Sequence, residues 1–234
     1  MTACDFSFAG ETLSARASGA LFWPSQSILV VSDLHLGRTE RIAREGGQII
    51  PPYENTDTLQ RLEAEIRALQ PSTVVCLGDS FDDLTATAFL TEIETDWITR
   101  LQAGREWIWV EGNHDPAPLD LGGTNRETLH LGGLTLRHIA TSTTRGEVSA
   151  HYHPKVTVPT RGRGISRPCF LFDDQRLIMP AFGTYTGGMK VTRAPLSEMF
   201  GEDAQVIITG KSARRFALHS AASTRKRPAS SRAG

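Results

Sequence analysis

Residues 27–35 read SILVVSDLH, with four consecutive aliphatic residues followed by Ser, Asp, Leu and His. A short run with no polar alternation marks a strand covered on both faces. Two later stretches have the same shape, STVVCLGD (72–79) and EWIWVEGN (106–113), each apolar run passing into a polar turn that contains glycine. Cys76, Trp107 and Trp109 lie inside these runs and are read as packing residues.

The segments between the runs have helical period. In NTDTLQRLEAEIRALQ (55–70), Leu59, Leu62, Ile66 and Leu69 share one face, Asn55 or Thr56 can cap it, and Pro71 ends it. In TATAFLTEIETDWITRLQAG (85–104), Phe89, Ile93, Trp97 and Leu101 form the expected face and Gly104 the C-terminal cap. The order strand, helix, strand, helix, strand predicts right-handed crossovers and a largely parallel sheet. The second half changes character. TLHLGGLTLRHIA (128–140), GEVSAHYHP (146–154), PCFLFDDQRLIMPAF (168–182) and AQVIITG (204–210) read as short strands joined by Gly or Asp turns, with antiparallel pairing expected.

Composition bounds the class. The 234 residues are 39% hydrophobic and 22% charged, as in a globular domain. No apolar run reaches the roughly 18 residues that span a bilayer, and the first residues, MTACDFSFAGETLSA, lack the pattern of a signal peptide. With Cys4, Cys76 and Cys169 odd in number and far apart, a disulfide framework is not expected, and the cytoplasm is the expected location. Seven Lys or Arg and no Asp or Glu follow residue 210, which leaves 18 basic against 26 acidic residues before it. The expected organisation is one domain over 1–210 and a basic, disordered tail over 211–234.

Each of the first three strands runs into a polar cluster: Asp33-Leu34-His35, Gly78-Asp79 through Asp83, and Gly112-Asn113-His114-Asp115. Ligands of open α/β sheets bind beyond the carboxyl ends of strands, so these clusters should meet in one crevice. Of seven histidines, five (His35, His114, His138, His151, His153) lie at expected strand ends or in the HYH segment, leaving only His130 and His219. Imidazoles, carboxylates and one amide without a thiolate suit Mn, Fe, Zn or Mg rather than copper(I) or an iron–sulfur cluster. If the HYH segment is extended, His151 and His153 point to the same side.

Asp33-x-His35, Gly78-Asp79-x-x-Asp82, Gly112-Asn113-His114-Asp115, His138 and His151-x-His153 together resemble the calcineurin-like metallophosphoesterases. With GALFWPSQSILVVSDLHLGR, PPYENTDTLQRL, GEVSAHYHPKV and LIMPAFGTYTGGMKV, the chain is most similar to the bacterial ligase-associated DNA damage response endonucleases. That resemblance implies a single-domain α/β fold, a four-layer αββα sandwich with two mixed β-sheets. It implies two divalent metal ions, Mn²⁺ before Fe, Zn or Mg, which activate a hydroxide for in-line attack on phosphate. One ion would sit on Asp33, His35 and His153, the other on Asn113, His138 and His151, with Asp79 shared. His114 would be the general acid, oriented by Asp82. The implied function is a phosphodiesterase, a DNA endonuclease of repair, with DNA as substrate, DNA ligase and helicase as associates, and no membrane. A phosphoesterase on small substrates (phosphomonoester, cyclic nucleotide or nucleotide pyrophosphate) and a non-catalytic scaffold are the alternatives. Arg38, Lys155 and Tyr185 are candidate substrate contacts, with Arg41 and Arg44 beside Arg38. The sequence departs from the family at Ala150, where glycine usually precedes the first histidine, and from close relatives at Asp82, where histidine is common.

Overall fold

The computed structural model describes residues 2–47, 51–115, 121–141, 145–158 and 164–218. The first sheet takes its seven strands in chain order: β1 (Ala3–Phe8), β2 (Glu11–Arg16), β3 (Leu21–Trp23), β4 (Ile28–Ser32), β5 (Thr73–Leu77), β6 (Glu106–Val110) and β7 (Thr124–Arg126). Strands β1 to β4 form an antiparallel meander, and β4 to β7 are parallel. Helix α1 (Arg38–Arg44) and helix α2 (Glu54–Leu69) lie between β4 and β5, and α3 (Glu92–Gln102) between β5 and β6. The aliphatic run at 27–33 is thus a central strand. Its Ile28 and Val30 face one core, and its Leu29 and Val31 face another.

The second sheet holds β8 (Thr128–Leu131), β9 (Leu134–Arg137), β10 (Glu147–Ser149), β12 (Ile165–Phe172), β13 (Arg176–Ile178), β14 (Gln205–Ile208) and β15 (Arg214–Ala217) in the order 15-14-12-13-10-9-8, with β11 (Lys155–Val158) paired to β12. Its middle is parallel, because β10 pairs in that sense with both β9 and β13. The antiparallel pairing expected of the second half holds for the rest of this sheet and gives way in its middle, which makes it the mixed sheet of the expected fold. A long excursion between β9 and β10, and another from β10 to β13, let three strands run the same way.

The sheets pack face to face over Phe6, Leu13, Val30, Val75, Phe170 and Phe172. Helices α2 and α3 cover the outer face of the first sheet through Leu59, Leu62, Ile66, Ile98 and Leu101. The outer face of the second packs Leu171, Ile178 and Val206 against Leu196 of the short α4 (Leu196–Met199) and Phe200. These are the four layers of the αββα sandwich.

Three further expectations change. Asn55 does not cap α2; the N-cap is Tyr53, without a side-chain bond, and Asn55 Oδ1 accepts from Gly37 N at 2.8 Å instead. Helix α3 begins only after a capping box closed by Thr91 and Glu94, so its buried face runs through Ile98 and Leu101. Phe89 and Ile93 are left 50% and 77% exposed. Arg214–Ala217, expected in the tail, pair with β14 as an edge strand; residues 219–234, with His219, lie outside the described residues.

The corrected face of α3 makes a contrast in stability. Ile98→Ala should lower the free energy of urea unfolding by about 2–5 kcal/mol, and Ile93→Ala should leave it within about 0.5 kcal/mol.

Candidate metal centre

Five strands deliver the site, three from the first sheet and two from the second. Asp33 and His35 follow β4, Gly78 and Asp79 follow β5, and Asn113, His114 and Asp115 lie just beyond β6; His138 follows β9, and His151 and His153 follow β10. All five run parallel to a neighbour within their own sheet and end at the same edge of the sandwich. The candidate ligands therefore converge, as their positions at strand ends implied.

They fall into two groups. Donor atoms of Asp33, His35 and His153 lie within 4.8 Å of one another, as do those of Asp79, His138 and His151. Asn113 belongs with the second group, since its Oδ1 stands 2.8 Å from His138 Nε2. Asp79 reaches both. Its Oδ1 accepts from His114 N at 2.9 Å. Its Oδ2 lies 3.4 Å from His138 Nε2, 3.9 Å from His35 Nε2 and 4.0 Å from His114 Nε2. Burial opposes ionisation of Asp79, yet the hydrogen bond and charge of His138, with the His114 amide, bring its pKa down to about 2. The same contacts act on His138, where burial disfavours the cation but Asp79 and Asp33 raise the pKa above the ordinary value. His151 moves down, through burial and then the neighbouring His138.

The donor set fits divalent cations. His35 Nε2 and His153 Nε2, both in the first group, are buried and have no hydrogen-bond partner. Buried polar atoms are nearly always satisfied, and two orphaned imidazole nitrogens on candidate ligands are what a metal ion would satisfy.

The backbone is bent to bring them there. Asp33, His35, His151 and His153 all have positive φ, 46°, 46°, 64° and 46°. Such conformations in residues other than glycine cost on the order of 1–3 kcal/mol each and cluster at functional sites. The HYH segment is therefore not extended, and its two imidazoles reach their groups through left-handed turns. Ala150 is relieved of the burden that a glycine would carry: it is fully buried at the end of β10, its N–H donates to His138 O at 2.9 Å, and the positive φ falls on His151. Main-chain bonds brace the bends, with His35 N donating to Asp79 O at 3.0 Å and Gly183 N to Asp33 O at 3.1 Å. Gly78 is required twice over, by φ of 80° and because a Cβ would stand 1.9 Å from His138 Nδ1.

Asp82 does a different task from the one expected. Its buried carboxylate lies 2.7 Å from His35 Nδ1 and takes Arg38 at 2.9 Å and the Nε of Arg41. Burial opposes its charge, but His35, Arg41 and Arg38 together hold the pKa well below the carboxylate range. His114 is oriented by the Asp82 main chain instead, with Nδ1 2.8 Å from the Asp82 carbonyl oxygen. A carbonyl only accepts, so Nδ1 carries the hydrogen, and Nε2 faces the two groups. Arg38 and Arg41 are paired with Asp82, and Arg44 with Asp83. Lys155 Nζ donates to Thr186 O at 3.4 Å, and Tyr185 is 43% exposed on the loop after β13.

Asp115 ends the third polar cluster. It is buried, and its Oδ2 accepts from Ser80 N at 2.9 Å and Phe81 N at 3.1 Å, latching the third polar turn to the second. Burial pushes its carboxyl up to about 7, against the Phe81 amide and with the help of the Asp79 charge. Nothing in residue spacing distinguishes such a latch from a turn aspartate.

Fold and site together define a phosphoester hydrolase. The chain matches the calcineurin-like phosphoesterases over residues 26–161 and belongs to that family. Among solved structures it is similar to the crystal structure of Pseudomonas putida nuclease MPE, with a TM-score of 0.70 and 26% identity, covering 92% of this chain and 100% of that one. No curated protein sequence matches it.

The altered place of Asp82 predicts that Asp82→Asn weakens metal binding by about 10–100-fold. Titration calorimetry with Mn²⁺ checks this; unchanged affinity would show that His35 needs no holding.

Proposed function

We propose that the protein is a metal-dependent phosphodiesterase that cuts DNA, an endonuclease serving DNA repair. The observation that carries this reading is the likeness, across the whole of the other chain, to a protein described as a nuclease. The family resemblance adds DNA ligase and helicase as associates, and the few, scattered cysteines the cytoplasm as location.

In this reading Asp33, His35 and His153 hold one divalent cation, and Asn113, His138 and His151 the other. Asp79, whose Oδ2 faces imidazoles of both groups, is shared, and Mn²⁺ is the favoured metal. When bound, the pair supplies Lewis acidity toward phosphate oxygens and a nucleophile at neutral pH. The chain's own residues do the rest. Asp82 keeps the His35 ring oriented through Nδ1, so that Nε2 presents its lone pair. Asn113 contributes a neutral oxygen, which leaves the local charge more favourable to an incoming phosphate than a third carboxylate would. His114, fixed by its Nδ1–H to the Asp82 carbonyl, presents Nε2 to the leaving oxygen and, when protonated, gives it the proton that the departing alkoxide needs. Its side chain is 38% exposed, so it can regain that proton from solvent.

The test uses Mn²⁺-loaded protein on circular single- and double-stranded DNA, bis-p-nitrophenyl phosphate and p-nitrophenyl phosphate, beside His114→Ala and Asp79→Ala. DNA nicking and diester hydrolysis are expected. His114→Ala should lose about 10²–10⁴-fold in kcat toward DNA and less toward the diester, whose nitrophenolate leaves without a proton. Monoester hydrolysis alone would sink the nuclease reading in favour of a small-substrate phosphoesterase. Activity on none of the four substrates would favour a scaffold.

A further inference from the structure

The loop that leaves β13 returns to the site beside the HYH segment. Met189 N donates to the carbonyls of Tyr152 (3.1 Å) and His153 (3.2 Å), Lys155 N donates to Met189 O (2.7 Å), and Val191 N donates to Lys155 O (3.0 Å). These bonds zip 189–191 onto 152–155. Gly188 admits the contact, because a Cβ there would stand 2.4 Å from His153 O. The two segments line an open, solvent-facing pocket of about 580 Å³, with His151 and His153 in one part of its wall and Lys190 and Arg193 in another.

Lys190 and Arg193 are both exposed. Among the described residues neither has an acidic partner, in contrast to Arg38, Arg41 and Arg44, each of which is turned onto an aspartate. Neither cation belongs to the two ligand groups, yet both border the pocket that two candidate ligands enter. A phosphomonoester or a cyclic nucleotide puts its one phosphate at the ligand groups and has nothing left for a second pair of cations. A polynucleotide has another phosphate on each side of the one being cut.

Building on the nuclease reading, we infer that Lys190 and Arg193 hold the strand phosphate next to the scissile one. The loop at 183–194 then sets the preference for a polynucleotide over a small ester. Lys190 acts as a point charge, and Arg193 can take two phosphate oxygens at once. Because these contacts are to the backbone, they act on any base sequence and release counterions on binding.

The experiment compares wild type with Lys190→Ala/Arg193→Ala and with the charge-keeping Lys190→Arg/Arg193→Lys. Affinity for a fluorescein-labelled single-stranded oligodeoxynucleotide is followed by anisotropy across a series of NaCl concentrations, and hydrolysis of bis-p-nitrophenyl phosphate is measured on the same preparations. The double alanine variant should bind DNA at least about tenfold more weakly at low salt, with the slope of log K against log[salt] reduced by about 1.4, or 0.7 for each lost contact. Its hydrolysis of bis-p-nitrophenyl phosphate should stay at the wild-type rate, and the charge-keeping variant should retain the wild-type slope. An unchanged slope in the alanine variant overturns the inference and leaves the nuclease reading intact. An equal fall on DNA and on the small diester also overturns it, by placing the effect in the metal centre. Wild type that hydrolyses the diester but neither binds nor cuts DNA removes the nuclease reading and this inference together.

Discussion

The site depends on one buried carboxylate. Asp79 is 2% exposed, and a charge withdrawn from water in this way costs several kcal/mol unless its surroundings return it. One oxygen is repaid by the His114 main-chain N–H. The other is left facing imidazoles from both ligand groups. That oxygen belongs to the first sheet and His138 to the second, so the carboxylate ties the two halves of the sandwich at the edge where their strands end. The strand ends converge there because their carboxylates and imidazoles compensate one another where Asp33, His35 and Asp79 are withdrawn from water.

The surrounding structure is organised to hold this arrangement. Positive φ at Asp33, His35, His151 and His153 survives because the neighbouring loops bond to the same turns. The chain after β13 clamps Ser32 and Asp33 through the Phe182 and Gly183 amides respectively and then zips along the HYH segment through Met189. Asp82, neutralised by Arg38 and Arg41, steadies His35. Asp115 joins two of the polar turns. Mutual bracing of this kind keeps ligands close to a working geometry before any cation arrives, which lowers the ordering cost of binding.

What the sequence revealed and what it hid follow from the range of the forces. The runs at 28–32, 73–77 and 106–110 were legible because burial on both faces leaves no polar alternation inside them, and their ends were legible because a carboxylate, amide or histidine follows each run. The meander β1 to β3 was not legible because β1 buries only Phe6 and Phe8, β2 buries Ser14 and Arg16 beside Leu13 and Ala15 and so shows no alternation, and β3 is only three residues long. The α3 face was hidden because Phe89 lies before the Thr91 capping box, in a separate turn, and Ile93 falls in the first helical turn, where it stays exposed. The parallel middle of the second sheet depends on long connections whose direction local pattern does not encode. The role of Asp82 depends on which of two atoms, carboxylate or carbonyl, meets His114. Spacing alone cannot separate them, since both belong to the same residue.

The central claim is that the two groups sharing Asp79 form one dinuclear centre. Elemental analysis of protein loaded with Mn²⁺ and dialysed against metal-free buffer tests it most directly. The account requires two equivalents per chain, both lost or sharply weakened in Asp79→Ala. One equivalent in wild type, or two that persist without the Asp79 carboxylate, would contradict it.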